Sequence, residues 1–344
     1  MSYQREFEKR IPAAVIGVGS HSYRNILPIM NFLPVKLVAV CDVNEELAVR
    51  TAAQYACRAF TDTKEMYREA PEIEAVFIAV GPKLHPALTI EALENGKHVW
   101  VEKPISTTAD EVRQIMDARR EGEIVVVGLK KAFMPATVKA KEIIDTYGGL
   151  KSVLAVYHMN VPGNGEEILK THDTPNWLRN GVHPLAYMMA LGGAVGEVTT
   201  IRNDEGYGAV VLKFRNGVMG TLHLASGPQP NVESYAAFGT DWQLDIQDTK
   251  ISFRRGIPFV YRYTNTYAPE GFDHGTIVWD TSNCLATLEN KAEFTQGFYN
   301  ETRYFCDCVL EDRQPEIGTL EDALEMMKVY EAALLSDGEP VKIV

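Results

Sequence analysis

Cysteine is scarce in this 344-residue chain and follows no pattern: Cys41, Cys57, Cys284, Cys306 and Cys308 include no CxxC pair. Cys306 and Cys308 fall in a predicted helix with one residue between them, so they point to different sides. An odd, scattered set argues against a disulfide framework or a zinc site and fits reduced thiols. Long hydrophobic runs are also missing. The apolar stretches have strand length, too short to span a bilayer, and the opening MSYQREFEKRIP lacks the apolar core of a signal peptide. The expected compartment is the cytoplasm. Positive charge is in deficit, with 34 Lys and Arg against 46 Asp and Glu and a net charge of −12. That disfavours nucleic-acid and anionic-membrane partners, which need cationic surfaces. It leaves room for a small anionic cofactor, because backbone amides bind phosphate without net protein charge. No internal repeat is present, and no His, Asp and Glu set has metal-ligand spacing, so no metal is expected.

What is present reads as two domains, 8–131 and 132–344. Apolar runs of strand length at 13–18, 36–41, 75–80, 98–101 and 124–127 alternate with helix-like stretches at 44–56 and 86–94. A third helix opens with a capping box, Thr108 with Glu111, and puts Val112, Ile115 and Met116 on one face. Continuous apolar strands alternating with helices predict a doubly wound parallel sheet, an α/β Rossmann domain. After Lys131 the pattern changes. A helix over 135–146 ends at Gly148-Gly149, and alternating strands follow at 152–160, 207–214 and 218–225, the last two joined by Asn216-Gly217, a hairpin signal. Further strands are expected at 235–238, 243–246 and 251–253. Helices return with Phe298, Thr302, Phe305 and Val309 on one face, then with Leu320, Ala323, Leu324 and Met327 inward from Thr319. The second domain is therefore expected to be α+β, a mostly antiparallel, open-faced sheet covered on one side. The uncovered face would serve a homodimer or homotetramer.

The segment AAVIGVGSHSYRNIL places Gly17-x-Gly19 between a strand and an expected helix. Gly17 suits the tight turn, and Gly19 suits close approach of backbone to a pyrophosphate at the helix start. Ser22 takes the third position of the fingerprint, where a side chain loosens helix–strand packing. The second strand ends in Asp42, near the spacing of a ribose-binding acid, about 20 residues on. A carboxylate there repels a 2′-phosphate and no arginine follows it, which favours NAD over NADP. The same position also suits the N-cap of the next helix.

Glu102-Lys103-Pro104 follows HVWV at the carboxyl edge of the sheet, where ligands bind in such folds. Pro104 stiffens that turn. A lysine beside a nicotinamide can polarise a substrate oxygen; by itself the tripeptide reads more readily as a solvated strand-end ion pair.

GVGSHS, CDVNEELA, GPKLHPALTIEALENGKHVWVEKPIS and GTDWQLDI together resemble the glucose–fructose oxidoreductase/inositol dehydrogenase family, Gfo/Idh/MocA. The resemblance runs over nearly the whole chain. It implies a Rossmann domain with an open-faced sheet domain, NAD(P) dependence, and redox chemistry on sugars, polyols or nucleotide sugars. Lys103 then corresponds to the catalytic or substrate-orienting lysine. The implied cofactor set is Gly17, Gly19, Ser20, His21, Asp42, Val80, His85, Glu102 and Lys103. The family's Asp-x-Gly-x-His motif maps onto Arg179-Asn180-Gly181-Val182-His183, and its later aspartate onto Ala186. Gly181 and His183 match; both aspartates are replaced. His183 remains the candidate general acid/base, its imidazole suiting neutral pH, and Arg179 suits an anionic substrate group. The expected substrate-binding set is Lys103, Lys131, Tyr157, Trp177, Arg179, Asn180 and His183. Tyr157 and His158 end one strand, so only one can point into a pocket. The stretch 162–176 reads as a loop over the substrate or as a plain mobile loop, and a His172–Asp173 dyad within it is the less favoured reading; specificity is expected in 160–180 and 255–290.

The leading expectation is an NAD-dependent oxidoreductase acting on a CH–OH group of a sugar, an inositol-like polyol or a sugar derivative. The alternatives are an NAD-assisted glycoside-cleaving enzyme and a non-catalytic dinucleotide- or sugar-binding regulatory relative.

Overall fold

Six short strands form the first sheet of the computed structural model, which describes residues 6–227, 233–256, 275–280 and 291–344. They are β1 (Ile11–Ile16), β2 (Val35–Cys41), β3 (Arg58–Phe60), β4 (Ala75–Ile78), β5 (His98–Glu102) and β6 (Val125–Gly128), all parallel, in the order β3-β2-β1-β4-β5-β6. Five of them follow the expected apolar runs. β3 was not expected: an edge strand of three residues with two exposed, it has no apolar run to read. Every residue of β4 and β6 is buried, as a strand covered on both faces requires. Strand order reverses between β1 and β4, which opens a crevice at their carboxyl ends.

Helix Ala109–Ala118 starts with the expected capping box: Thr108 Oγ1 accepts from the Glu111 N–H, and Glu111 Oε2 accepts from the Thr108 N–H at 3.1 Å. The helix expected after the glycine loop is irregular instead. A π-type turn over Ser22–Ile26 runs into a 3₁₀ helix over Leu27–Phe32. Pro28 accounts for part of this, since it has no N–H to offer an α-helical bond. Helix Phe298–Leu310 packs on β5 and β6, with Phe305 meeting Phe77 edge-on at 5.4 Å between ring centres.

The second sheet has nine strands: β7 (Ser152–His158), β8 (Val195–Arg202), β9 (Gly208–Phe214), β10 (Met219–Ala225), β11 (Ser234–Phe238), β12 (Trp242–Gln247), β13 (Lys250–Arg255), β14 (Gly275–Asp280) and β15 (Val341–Lys342). Their order is β14-β13-β12-β11-β7-β10-β9-β8-β15. β7 and β10 pair in parallel and the other neighbours antiparallel. Asn216-Gly217 turns β9 into β10, with Gly217 at φ +87° and Asn216 Oδ1 accepting from the Val218 N–H. Val153 and Ala155 of β7 point to the buried face and Leu154 to the open one. Helix Val182–Gly192 covers the buried face.

The chain forms two compact units. One comprises Met1–Phe133, Ile168–Thr174 and Gly297–Lys328; the other comprises Met134–Glu167, Pro175–Gln296 and Val329–Val344. Among the described residues Cys41, Cys57, Cys306 and Cys308 are unlinked thiols. Cys306 and Cys308, two residues apart on their helix, are both fully buried. Cys284 and most of 255–290 lie outside the described residues. No described helix is long and apolar enough to cross a membrane.

Thr108→Ala removes one half of the capping box and is expected to destabilise the protein by about 1 kcal/mol. The check is a shift in the urea midpoint with the slope of the transition unchanged.

Candidate functional site

Gly17 leaves β1 at φ +87°, and a Cβ there would stand 2.4 Å from the Ala79 carbonyl oxygen and 2.6 Å from a Val80 methyl carbon. Only glycine fits both the conformation and the contact. The loop is anchored twice more. Its Val18 N–H donates to Asp42 Oδ2 at 2.9 Å, and Ser22, fully buried, donates its hydroxyl to the Gly17 carbonyl. Ser22 thus ties the turn down, where the sequence suggested that it would loosen packing. Asp42 Oδ1 accepts the Asn44 N–H at 2.9 Å, and the N-cap of the following helix is Asn44, whose side chain accepts from the Leu47 N–H. Asp42 is therefore not the cap; it is held at the end of β2 with its carboxylate fixed by two backbone donors. A Cβ on Gly19 or on Gly81 would meet nothing within 4 Å, and Ser20 and His21 are exposed next to Gly19. The carboxyl ends of β1 and β4 thus offer open backbone where a pyrophosphate needs it, so these residues fit a dinucleotide.

The lysine turn lies at the end of β5 in the same unit. Glu102 is buried and accepts a 2.8 Å hydrogen bond from His21 Nε2. The Asn25 amide nitrogen lies 3.3 Å from His21 Nδ1, and an amide nitrogen can only donate, so a neutral His21 carries its proton on Nε2. Burial opposes the charge on Glu102, but the His21 bond and the Lys103 charge outweigh it and hold its pKa below the ordinary value. Burial lowers the pKa of Lys103, against the raising influence of Glu102 and Glu301, with Lys131 lowering it further.

His85 is buried and donates from Nδ1 to the Pro104 carbonyl at 2.7 Å, across the cis Lys103–Pro104 peptide bond. Burial lowers its pKa and keeps the ring neutral. Of the cofactor residues inferred from sequence, His85 thus has a direct grip on the lysine turn. Lys131 is buried, not solvated, on the short helix Lys130–Phe133. Lys130 Nζ lies 4.2 Å from the centre of the Phe298 ring, whose edge also meets His21. Sequence reading passed over Asn25 and Glu301 and took Phe298 only as a residue of the packed helix face. Glu301 carried a signal: a carboxylate on the same helix face as Phe298 and Phe305.

The stretch read as a loop over 162–176 contains a helix, Gly165–Thr171. His172 ends it at φ +54°. The less favoured His172–Asp173 dyad does not form. His172 Nδ1 lies 2.7 Å from Thr107 Oγ1 and 3.3 Å from Glu111 Oε1, and Asp173 accepts from the Thr174 N–H.

The remaining expected substrate residues belong to the second unit. Trp177 is fully buried, stacked on Tyr330, with its Nε1–H directed at the Tyr330 carbonyl. Gly181 lies against it, since a Cβ there would stand 2.2 Å from the indole ring. The structure thus gives Trp177 a packing role. Arg179 and Asn180 are exposed on the π-type turn Trp177–Gly181, and Asn180 donates to Asn176 Oδ1 at 2.6 Å. His183 is half-buried in the first turn of helix Val182–Gly192, and Ala186 is buried one turn on. Tyr157 shares the buried face with Val153 and Ala155, and burial raises its pKa, with Glu233 adding to the effect. His158 is the one of the pair that lines a recess of about 190 Å³, with Met159, Asn160, Asn176, Tyr207, Ala225, Ser226 and Gly227.

Comparison with known proteins identifies this arrangement. Residues 11–129 match the profile of the GFO_IDH_MocA family, described as "Oxidoreductase family, NAD-binding Rossmann fold". The chain is 31% identical over 355 aligned positions to scyllo-inositol 2-dehydrogenase (NAD(+)) of Bacillus subtilis (strain 168), covering 98% of this chain and 97% of that protein. The chain belongs to the Gfo/Idh/MocA oxidoreductase family. Over 34% of its length it is also 31% identical to dTDP-3,4-didehydro-2,6-dideoxy-alpha-D-glucose 3-reductase of Saccharopolyspora spinosa, covering 36% of that protein. Among solved structures, levoglucosan dehydrogenase in complex with NADH superposes with a TM-score of 0.80 at 17% identity, covering 98% of this chain and 100% of that one. That likeness shows the shared two-sheet fold.

Gly17→Ala forces a Cβ into the Ala79 carbonyl at a positive φ. It is expected to weaken NADH binding at least tenfold, and Gly19→Ala to weaken it by intruding on open space without unfolding the loop. Fluorescence titration with NADH, with circular dichroism as the fold check, measures both.

Proposed function

We propose that this member of the family is an NAD-dependent dehydrogenase or reductase acting on a CH–OH group of a sugar, an inositol-like polyol or a sugar derivative. The observation that carries the reading is the lysine turn. Lys103 follows a buried, ionised Glu102 that is hydrogen-bonded to His21 of the glycine loop, so the candidate catalytic group and the dinucleotide loop are tied to one another. The full-length similarity to an inositol dehydrogenase supports the substrate class.

Gly17, Gly19, Ser20, His21, Val80 and His85 would hold or shape the dinucleotide site, and Asp42 would accept ribose hydroxyls and repel a 2′-phosphate. When bound, the nicotinamide supplies the hydride acceptor or donor. Lys103 binds the reacting oxygen and steadies its developing charge; its amine form takes the hydroxyl proton in oxidation, and its ammonium form returns one in reduction. His183 is assigned to proton handling, and Lys131, Tyr157, Arg179 and Asn180 to the substrate. Leu154, Ile201, Met219 and Val278 share the open sheet face by strand register and are exposed, which supports self-association through that face. A second reading, a dinucleotide- or sugar-binding protein without turnover, draws support from the buried Ala186 and the exposed Arg179 at the two aspartate positions.

The decisive measurement follows absorbance of NADH while scyllo-inositol, myo-inositol, other sugars and sugar acids are presented with NAD or NADP. Turnover with NAD is expected, with Lys103→Met slowing it about 10²-fold or more. Full activity in that variant overturns the role of Lys103, a strong NADP preference overturns that of Asp42, and NADH binding without turnover favours the second reading.

The pH dependence has a definite sign. Burial lowers the pKa of Lys103, so its amine form gains population at lower pH than in an ordinary lysine, whose pKa is about 10.4. The kcat/KM for oxidation should rise with pH through a midpoint below that value, and the kcat/KM for reduction should fall over the same range.

A further inference from the structure

Lys103 lies in a turn whose two flanks are each held by a histidine from another element. After it, His85 Nδ1 donates to the Pro104 carbonyl at 2.7 Å, from the first turn of helix His85–Glu94. Before it, His21 Nε2 donates to Glu102 Oε1 at 2.8 Å, from the residue that opens the π-type turn Ser22–Ile26. The backbone of Lys103 is thus strung between two fixed points.

The His21 bond meets the harder demand of the two. Glu102 is buried, and a buried carboxylate needs donors in place of the water it has left. Among the described residues, the side-chain donor to Glu102 is His21. The His21 side chain itself keeps 44% of its surface exposed, so burial does not account for its placement. Its polar contacts do. Nε2 is given to Glu102, Nδ1 lies 3.3 Å from the Asn25 amide nitrogen, and the ring meets Phe298 edge-on at 5.9 Å between centres. Both ring nitrogens are engaged by protein groups, which leaves neither for a ligand.

We propose that the His21 side chain is a positioning residue for Lys103: its hydrogen bond to the buried Glu102 carboxylate fixes the residue before Lys103 at the end of β5, while the backbone of the glycine loop serves the dinucleotide. This rests on the assignment of Lys103 to the reacting oxygen. A reacting group must stand about 3–3.5 Å from its partner atom, and a misplacement of about 1 Å costs on the order of 10²-fold in rate. Without the donor, Glu102 either turns towards water or takes up a proton. Both relax the flank of the turn that His85 does not hold.

The test compares His21→Leu, which removes the donor, with His21→Gln, which carries an N–H near the place of Nε2. The first measurement needs no substrate. Full-length protein is labelled with ¹³C at the glutamate side-chain carboxyl, and the resonance lost in Glu102→Gln assigns Glu102. The other titratable groups that bear on Glu102 are Lys103 beside it, His85 and Glu301, and all three are unchanged in these variants. His21→Leu should raise the proton affinity of Glu102 at least about tenfold, one pKa unit, and His21→Gln should raise it less. The second measurement uses NAD and a substrate that turns over. In His21→Leu, kcat should fall at least about tenfold while NADH affinity changes less than about threefold, and His21→Gln should be at least about fivefold faster than His21→Leu. A Glu102 midpoint unmoved by His21→Leu overturns the proposal. So does a His21→Gln protein as slow as His21→Leu, or a loss that falls on NADH affinity and spares kcat. If His21→Leu does not fold, His21→Asn, whose amide stops at the place of Nδ1, supplies the arm without the donor. If no substrate turns over, the proposed reaction falls, and the carboxyl titration still decides whether His21 holds Glu102.

Discussion

A carboxylate buried at the end of a central strand has to be given a donor, and the Glu102–His21 hydrogen bond meets that demand across the first sheet. Without it, burial would drive Glu102 towards the neutral acid. With it, the end of β5 and the loop after β1 are held to each other, and the one negative charge of the turn is placed on Glu102. That charge favours the ammonium form of Lys103 against its burial and orients the His21 ring. His85 completes the frame by holding the Pro104 carbonyl from the other side of the turn.

The glycine loop shows the same economy. Gly17 lets the chain pass Ala79, Ser22 closes the turn on the Gly17 carbonyl, and Asp42 reaches back to the Val18 N–H. One carboxylate therefore shapes the loop and holds the start of the segment after β2. The π-type turn that follows departs from a regular helix, and irregular helical turns of this kind are often found at functional positions.

Much of this was legible from residue order. Apolar runs bounded by turn residues located five of the six parallel strands, because a strand buried on both faces has to be apolar throughout. Thr108 and Glu111 announced their helix start, and Asn216-Gly217 its hairpin, because those structures are closed by local bonds. β3 escaped notice because an exposed edge strand of three residues has no such pattern. The helix inside 162–176 was missed because Gly, Glu and Lys read as a solvated loop, and its end is fixed by Thr107 and Glu111, far away in the chain.

The sequence by itself determined the parallel and mostly antiparallel sheets, the glycine loop, the acid at the end of β2 and the lysine turn, since each depends on periodicity or on neighbours within a few residues. Only the tertiary structure decided burial and partnership: that His21 serves Glu102, that Trp177 packs inside its unit, and that Lys131 and Glu301 are buried. Such properties depend on burial and on which charges lie nearby, and no residue's place in the chain fixes its distance from water or from another charge.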